Sequence, residues 1–403
     1  MISLTNPARH YAWGSLTAIP EFLGVPSTAE PVAEWWMGAH SSAPSRSAAE
    51  LGGVGLDSLI AADVVTTLGA DVVARFGPAL PYLLKLIAAE TPLSLQVHPH
   101  LEQARAGHAA EDAAGIPIDA PHRNYRDTNH KPELVYALTS FEAVCGFRAP
   151  RRAAELLAGL DAPLAQQLHQ VLIDDPSPQG IRSVFTRLLE PLTRPTRAEV
   201  LEVAHACAAR LAASSTSPRA DRIVVALAGA FPGDPGVVTS LLLNPVTLHP
   251  GEAMFIPAGG VHAYLHGFAV EVMASSDNVL RAGLTSKHID VAELLRSVDY
   301  VAAPPTRIAP EILNAASKIF YAPVDDFQLS VTEVADGDLH LVPGRGPRIL
   351  LCLEGELTFT WGSDTRAGGQ SLTLGRGQTA FAPASDGPLT VQGAGTVVQA
   401  DVP

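Results

Sequence analysis

The chain has 403 residues, of which 47% are hydrophobic and 17% are charged, and its formal net charge is -14 at pH 7. This composition predicts a globular protein and excludes disordered, collagen-like and coiled-coil proteins. The length predicts two or three domains, or one enlarged domain. An acidic surface repels nucleic acid and anionic membranes, so neither is expected as a partner.

The three cysteines, Cys145, Cys207 and Cys352, lie far apart and have no C-x-x-C spacing. They predict neither a disulfide framework nor a thiolate zinc cluster. The N-terminal sequence MISLTNPARHYAWGS has no apolar signal-peptide core, and no run of about 18 apolar residues follows it. We therefore expect a cytoplasmic protein. The sequence does not reveal the oligomeric state, for which a monomer is the working expectation.

The first 147 residues mix short extended runs with turn signals. One alanine-rich segment, from Leu56 to Phe76, has a helical period. The run PYLLKLIAAETPLSLQVHPH alternates apolar and polar residues around Ser94, Gln96 and His98. Because prolines flank this alternation, it predicts a strand with one functional face.

Residues 149 to 230 are rich in Ala, Leu and Arg at helical spacing, which predicts an all-α insertion. Its two histidines, His169 and His205, are interpreted as surface or core residues and not as metal ligands. After the PGDPG segment the sequence returns to short runs separated by turns such as HPGE and PAGG. That pattern predicts antiparallel sheet.

The region after residue 300 consists of predicted strands separated by glycine-rich turns. Its segment LGRGQTAFAPASDGP loosely repeats LHPGEAMFIPAGGVHA, but has no counterpart of His262. We predict a mainly β protein with two jelly-roll domains and an α-helical lobe. The predicted division is 1–147 with 236–300, a helical insertion at 148–235, and a C-terminal domain at 301–403 without metal ligands.

Gln96 and His98 are two positions apart on the predicted strand, so their side chains leave the same face. Divalent metals accept imidazole nitrogen and amide oxygen, and a catalytic site keeps one position open. The pair alone is a weak signal, because a hydrogen-bonded strand residue is an equal alternative for His98. His100 has the same parity, but Pro99 interrupts the ladder between them.

The segment YRDTNHKPE places many polar side chains directly before an apolar run. A solvated loop is the simplest alternative for such a mixture. Lys131 and Glu133, however, have equal strand parity, which places an anion-binding ammonium beside a carboxylate that can bind metal. The sequence therefore favours a functional segment.

A third group of polar residues follows the PAGG turn, where His262 comes directly after a predicted buried strand. Further along, Asp277, Arg281 and Lys287 fall within eleven residues of an otherwise apolar segment. The two cations are suited to neutralise a phosphate or an oxyanion. The alternative is a structural ion pair with Asp277 and Glu271.

Six motifs occur in order between residues 11 and 287: YAWGS, EWWMGAH, PLSLQVHP, YRDTNHKPE, FIPAGGVHAY and SSDNVLRAGLTSK. This set resembles that of the type I mannose-6-phosphate isomerases, zinc-dependent members of the cupin superfamily. That family also carries a helical insertion and a C-terminal cupin-like domain. The resemblance implies one zinc ion per chain, held in the first cupin-like domain by Gln96, His98, Glu133 and His262.

The resemblance also implies reversible conversion of D-mannose 6-phosphate and D-fructose 6-phosphate, a sugar-phosphate reaction that supplies GDP-mannose. Such an isomerisation moves a proton between neighbouring carbons through an enediol, so it needs an acid-base group. The candidates are Lys131, Glu271 and Asp277, while Arg281 is suited to stabilise oxyanion charge. The predicted substrate-binding residues are Ser94, Lys131, Arg281 and Lys287.

Two alternatives come from other functional classes. A metal-dependent oxygenase on a jelly roll needs two histidines and one carboxylate, which His98, His262 and Glu133 supply. Gln96 as a fourth ligand and the nearby cations favour a phosphorylated substrate instead. A non-catalytic sugar-phosphate sensor would lack the metal ligands or carry a DNA-binding element, and neither feature is evident.

Overall fold

The structure is a computed structural model that describes residues 1–27, 29–49, 52–362 and 369–403. The strands are β1 (Ile2–Thr5), β2 (Ala8–Arg9), β3 (Glu34–Met37), β4 (Arg46–Ser47), β5 (Tyr82–Ala89), β6 (Leu95–Val97), β7 (Glu133–Ala137), β8 (Phe141–Phe147), β9 (Leu243–Leu248), β10 (Ala253–Ile256), β11 (His262–Ala274), β12 (Leu280–Gly283), β13 (Thr306–Ile308), β14 (Glu311–Ile312), β15 (Ser317–Tyr321), β16 (Gln328–Val334), β17 (Leu339–Val342), β18 (Arg348–Trp361), β19 (Gln370–Gly375), β20 (Thr379–Ala382) and β21 (Leu389–Asp401).

The α-helices are α1 (Ala18–Leu23), α2 (Leu56–Ala62), α3 (Val64–Leu68), α4 (Ala70–Phe76), α5 (Leu101–Ala113), α6 (Pro150–Leu157), α7 (Pro163–Asp174), α8 (Pro178–Leu189), α9 (Arg197–Ala213), α10 (Pro218–Ala230), α11 (Gly236–Thr239) and α12 (Val291–Ser297). Short 3₁₀ helices cover Ser240–Leu242 and Ala384–Asp386. No helix of the described ranges is both long and apolar enough to cross a membrane.

Within the described residues the strands form two antiparallel sheets, one of 11 strands and one of 10. The prediction of a mainly β fold with two such sheets and an α-helical lobe is confirmed. The larger sheet has the order β13-β10-β7-β11-β5-β3-β2, with β6, β8, β9 and β12 joined beside that path. The smaller one is built mainly from β14 to β21.

Strand β11 organises the larger sheet, because its two halves pair with different strands. Its first residues pair with β6 and β8, and the part from Gly267 onward pairs with β5 and β7. The strand changes register near Gly267, which has a φ of +127°. A Cβ there would lie 2.8 Å from Phe141 Cα, so only glycine fits this close approach. The bend brings the first residue of β11, His262, beside β6.

Some strand pairs cross the predicted domain limits. β1 and β4, from the N-terminal region, belong to the smaller sheet because β1 pairs with β20 and β4 pairs with β1. β13, from beyond residue 300, pairs with β10 of the larger sheet. The facing sheets share a core that includes Leu84 and Val270 from one side and Leu329 and Ile349 from the other. The division into domains stays a prediction.

The stretch predicted to be helical contains α6 to α10, and four of these five helices begin with proline at the first or second position. Proline suits a helix start because the first backbone N–H groups have no partner within the helix. The exception, α9, has a capping box between Thr196 and Glu199. The apolar faces pack on β6 and β8 through residues such as Leu95 and Phe147. The predicted helix from Leu56 to Phe76 is instead three short helices, interrupted at Asp63 and Gly69.

Neither histidine of the helical stretch lies in a group of candidate metal ligands among the described residues. His169 Nδ1 lies 2.9 Å from the Ala154 carbonyl oxygen, and His205 is exposed. We expect His169→Ala and His205→Ala to leave the bound metal per chain unchanged. Elemental analysis of the purified variants measures this, and loss of metal from either one would place a ligand in the helices.

Candidate metal centre and substrate pocket

Three buried side chains meet where β6, β7 and β11 come together. His98 follows β6, Glu133 begins β7 and His262 begins β11. His98 Nε2 lies 3.2 Å from Glu133 Oε1, and His262 Nε2 lies 3.4 Å from Glu133 Oε2. One donor atom from each of the three residues lies within 4.8 Å of the others. This is the spacing expected of ligands around a single ion.

Hydrogen bonds to the backbone fix which nitrogen of each imidazole faces Glu133. His98 Nδ1 lies 2.8 Å from the Asn278 carbonyl oxygen, and His262 Nδ1 lies 3.0 Å from the Gly260 carbonyl oxygen. Each Nδ1 therefore carries a proton in the neutral ring, which leaves a lone pair on Nε2. The buried His98 Nε2 has no hydrogen-bond partner. A lone pair on each Nε2 and the carboxylate oxygen that it faces repel each other unless a cation lies between them. The three residues therefore fit a metal ion.

The ionisation states also suit a metal. Burial lowers the pKa of His98 to about 4, although the Glu133 carboxylate acts in the opposite direction. The imidazole is therefore neutral at neutral pH, the form that binds metal. Burial alone would raise the pKa of Glu133, but His98, His262 and Lys131 outweigh it and hold that pKa well below its ordinary value. Glu133 supplies the negative charge of the cluster.

Gln96 lies beside this cluster by strand register. Gln96 of β6 pairs with His262 of β11 on one side and with Arg281 of β12 on the other. Directly paired residues of antiparallel strands share a face, so these three side chains form a row across the sheet. Gln96 is half-buried, and its Nε2 lies 3.4 Å from Ser94 Oγ. Ser94 is thus placed one step further along the same face.

Lys131 is buried next to the cluster, with its Nζ 3.6 Å from Glu133 Oε1. The equal strand parity of Lys131 and Glu133 predicted that these two side chains lie next to each other. Lys131 therefore faces the same carboxylate as the two imidazoles.

Arg281 is half-buried and lies next to Gln96 in the row. None of the salt bridges of the described residues involves its guanidinium, within a limit of 4.0 Å. Burial, with a contribution from Arg126, lowers the pKa of Arg281. The alternative ion pairs are not formed, because Asp277 lies 3.5 Å from His40 Nε2 and Glu271 pairs with Lys85.

The other two acid-base candidates, Glu271 and Asp277, contact other partners. Glu271 is buried behind the cluster, where it accepts a hydrogen bond of 2.7 Å from the Tyr264 hydroxyl. Asp277 has a side chain that is 36% exposed and faces His40. Its backbone N–H also donates to Asp127 Oδ2 at 2.7 Å. Of the three candidates, Lys131 is the one that the structure places against Glu133.

Sequence reasoning missed Lys85, which is buried in β5 between two glutamates. Its Nζ lies 3.3 Å from Glu271 Oε2 and 3.7 Å from Glu34 Oε1, and it lies 5.1 Å from the centre of the Trp36 ring. Burial opposes the charged form, but the two carboxylates outweigh it and raise the pKa of Lys85. A lysine within the apolar run YLLKLIAA was the available signal, because an isolated buried ammonium is costly.

Replacing Lys85 with Met should lower the free energy of unfolding by about 3 kcal/mol, because two buried carboxylates would then face each other without a cation. The matched control is Lys318→Met, which removes a more exposed pair with Glu333 and should cost less than about 1 kcal/mol. Urea denaturation measures both. Equal losses would show that the Lys85 pairs contribute no more than a surface pair.

Asn278 lies within the SSDNVLRAGLTSK motif and received no role from the sequence, yet it is fully buried and connects several parts of the site. Its carbonyl oxygen orients His98, while its Oδ1 accepts the backbone N–H of Arg126 at 2.7 Å. Its Nδ2 donates to the carbonyl oxygens of Asp127 and Asn129, each at 2.8 Å. One residue therefore joins a candidate metal ligand to the loop that leads into Lys131.

A family model matches the first part of the chain, and relatives match nearly all of it. A family model described as the catalytic domain of type I phosphomannose isomerase matches residues 1–150. The mannose-6-phosphate isomerase of Escherichia coli K12 is 40% identical over 405 residues, which cover 99% of each chain. Mannose-6-phosphate isomerase 1 of Arabidopsis thaliana is 32% identical over 88% of this chain and 81% of its own.

Solved structures are similar over the same length. A mutant of phosphomannose isomerase from Salmonella typhimurium superposes with a TM-score of 0.88 at 37% identity, covering 100% of this chain and 99% of its own. A mannose 6-phosphate isomerase bound with zinc and yttrium has the same TM-score of 0.88, identity of 37% and coverage. With this sequence identity over nearly the full length of both chains, the protein belongs to the type I phosphomannose isomerase family.

Proposed function

We propose that this protein is a zinc-dependent isomerase that interconverts D-mannose 6-phosphate and D-fructose 6-phosphate through an enediol. The observation that carries the proposal is the convergence of two imidazole Nε2 atoms on the Glu133 carboxylate, beside cations that have no carboxylate partner. The names of the full-length relatives support the same activity. The His98–Glu133–His262 set would also suit an oxygenase, but none of the relatives named above is one.

One zinc ion would be held by His98, Glu133 and His262, with Gln96 as the fourth ligand. The first three residues offer two imidazole nitrogens and a carboxylate, and Gln96 lies directly beside His262 in register. Bound zinc would polarise the oxygens at the reacting carbons of the substrate and so lower the cost of the enediol.

We assign the proton transfer to Lys131. An aldose-ketose isomerisation removes a proton next to a carbonyl and returns it to the neighbouring carbon, so the acid-base group must touch both positions. Lys131 lies against Glu133. Glu271, by contrast, is closed off by Tyr264 and Lys85, and Asp277 faces His40.

The substrate's anionic groups would bind on the other side of Gln96. Arg281 is its neighbour there, and Lys287 follows six residues later with an exposed side chain. Arg281 would stabilise negative charge that develops on the substrate oxygens, and Lys287 would bind the phosphate. Ser94, on the same face as Gln96, would contribute a hydroxyl to the substrate.

Three wider assignments belong to this proposal. We assign the helical stretch a packing role without metal ligands, and the smaller sheet a structural role. A cytoplasmic location fits the three cysteines, which are buried and free. The monomeric state stays a prediction.

The test is an isomerase assay joined to metal analysis. Purified protein should convert mannose 6-phosphate and contain one zinc ion per chain. Dialysis against a chelator should abolish the conversion, and added zinc should restore it. Conversion at an undiminished rate by metal-free protein would refute the metal dependence, and zinc-loaded protein that converts neither sugar phosphate would refute the activity.

A further inference from the structure

Three cations gather at the end of the row that leads away from the metal ligands. Arg281 lies beside Gln96 in register, and Arg126 and Lys287 have exposed side chains. Their charges act on Arg281 or are acted on by it. Burial lowers the pKa of Lys287, and the charges of Arg281 and Arg126 lower that pKa further. Burial and Arg126 together lower the pKa of Arg281. The three positive charges therefore act on one another.

Hydrogen bonds hold the backbone around Arg126 against the segment that carries the other two cations. The Arg126 N–H donates to Asn278 Oδ1 at 2.7 Å, three residues before Arg281. Asn124 Nδ2 donates to Asp290 Oδ2 at 2.9 Å, three residues after Lys287. The loop of Arg126 is thus fixed near both ends of the segment from Arg281 to Lys287.

The acidic residues of this region are engaged elsewhere. Asp127 accepts bonds from the Ser276 hydroxyl at 2.8 Å and from the Asp277 N–H at 2.7 Å. Asp290 accepts from Asn124 and caps α12 through the Glu293 N–H. Within the described ranges, no carboxylate pairs with Arg126, Arg281 or Lys287 inside the 4.0 Å limit for a salt bridge.

This absence of counter-charge is unusual for a chain with a net charge of -14. Like charges held close together repel, and partial burial strengthens the repulsion because solvent screens them less. A multivalent anion between the three cations removes that cost. A phosphate ester suits the place, since guanidinium groups bind phosphate oxygens through paired N–H donors.

We propose that Arg126 is a substrate-binding residue that, together with Lys287 and next to Arg281, holds the phosphate of the sugar phosphate. This inference rests on the proposed function. In register the row runs from His262 through Gln96 to Arg281, and the charges of Arg126 and Lys287 interact with Arg281, so the phosphate would bind on the Arg281 side of Gln96. Arg126 touches the phosphate alone, so it contributes equally to the bound substrate and to the transition state.

The experiment compares Arg126→Ala, Arg126→Lys and the control Arg151→Ala, which removes an exposed arginine from α6. Loss of one charge-assisted hydrogen bond to phosphate should raise KM for mannose 6-phosphate about tenfold. Because the lost contact stabilises the bound substrate and the transition state equally, kcat should change less than about twofold. Arg126→Lys should recover most of the affinity, and Arg151→Ala should match the wild type.

Binding of inorganic phosphate to the zinc-loaded protein, measured by calorimetry, needs no turnover. Its Kd should rise in Arg126→Ala by a factor similar to that of KM. A KM and a phosphate Kd equal to those of the Arg151→Ala control would overturn the inference, as would a fall in kcat at unchanged KM. If the wild-type protein bound phosphate more tightly than Arg126→Ala but failed to isomerise mannose 6-phosphate, the proposed function would be refuted and the phosphate site would stand.

Discussion

Replacing Glu133 with Gln should lower the zinc affinity by at least about a hundredfold and remove most of the isomerase activity with it. Glu133 supplies the negative charge of the proposed ligand set, and both imidazole Nε2 atoms face its carboxylate oxygens. Loss of groups that merely orient a ligand already costs 10- to 100-fold in metal affinity, and a ligand's own charge contributes more. Zinc content after dialysis against a graded series of chelator concentrations measures the affinity.

The Gln side chain has nearly the same shape as Glu, so the substitution tests charge and leaves the packing in place. Glu356→Gln, at an exposed position of β18, is the matched control and should keep both zinc and activity. Circular dichroism establishes that each variant is folded. If Glu133→Gln retained full zinc content and turnover, its carboxylate would not be a ligand.

The part of the site that sequence alone predicts depends on local spacing. Gln96 and His98, like Lys131 and Glu133, are two positions apart, and side chains at that spacing leave a strand on the same side. In the structure each pair straddles a strand end, since His98 follows β6 and Lys131 precedes β7, and Lys131 does lie beside Glu133. The motifs then indicated which pairs belong to one centre, and the structure places His98, Glu133 and His262 within 4.8 Å.

What the sequence did not predict depends on strand register between distant segments. Lys85 meets Glu271 because β5 pairs with β11, and the two residues are 186 positions apart. His98 meets the Asn278 carbonyl oxygen across 180 positions. No local period encodes such partners, because a shift of register by one residue would turn each side chain to the other face.

The domain limits were difficult for a related reason. β1 and β4 are strands of four and two residues, too short to show an alternating pattern. They belong to the smaller sheet because β1 pairs with β20, which brings the two ends of the chain together, and β4 pairs with β1. Short strands of this kind are identified by their partners and not by their own composition.

Replacing Arg281 with Ala should lower kcat and kcat/KM together, each by about a hundredfold or more. Arg281 is next to Gln96, the proposed fourth metal ligand, in register. A guanidinium at that position can bind a substrate oxygen whose negative charge grows as the enediol forms. Steady-state kinetics with mannose 6-phosphate, on protein shown to contain a full complement of zinc, measure the effect.

The pattern of the two kinetic constants separates this role from phosphate binding. If Arg281 held only the ground-state phosphate, KM would rise while kcat stayed nearly constant, which is the result expected for Arg126→Ala. Arg281→Lys keeps the charge but loses the planar pair of donors, so it should recover only a small part of the lost kcat. A folded, zinc-loaded Arg281→Ala enzyme with wild-type kcat and KM would place this side chain outside the reaction.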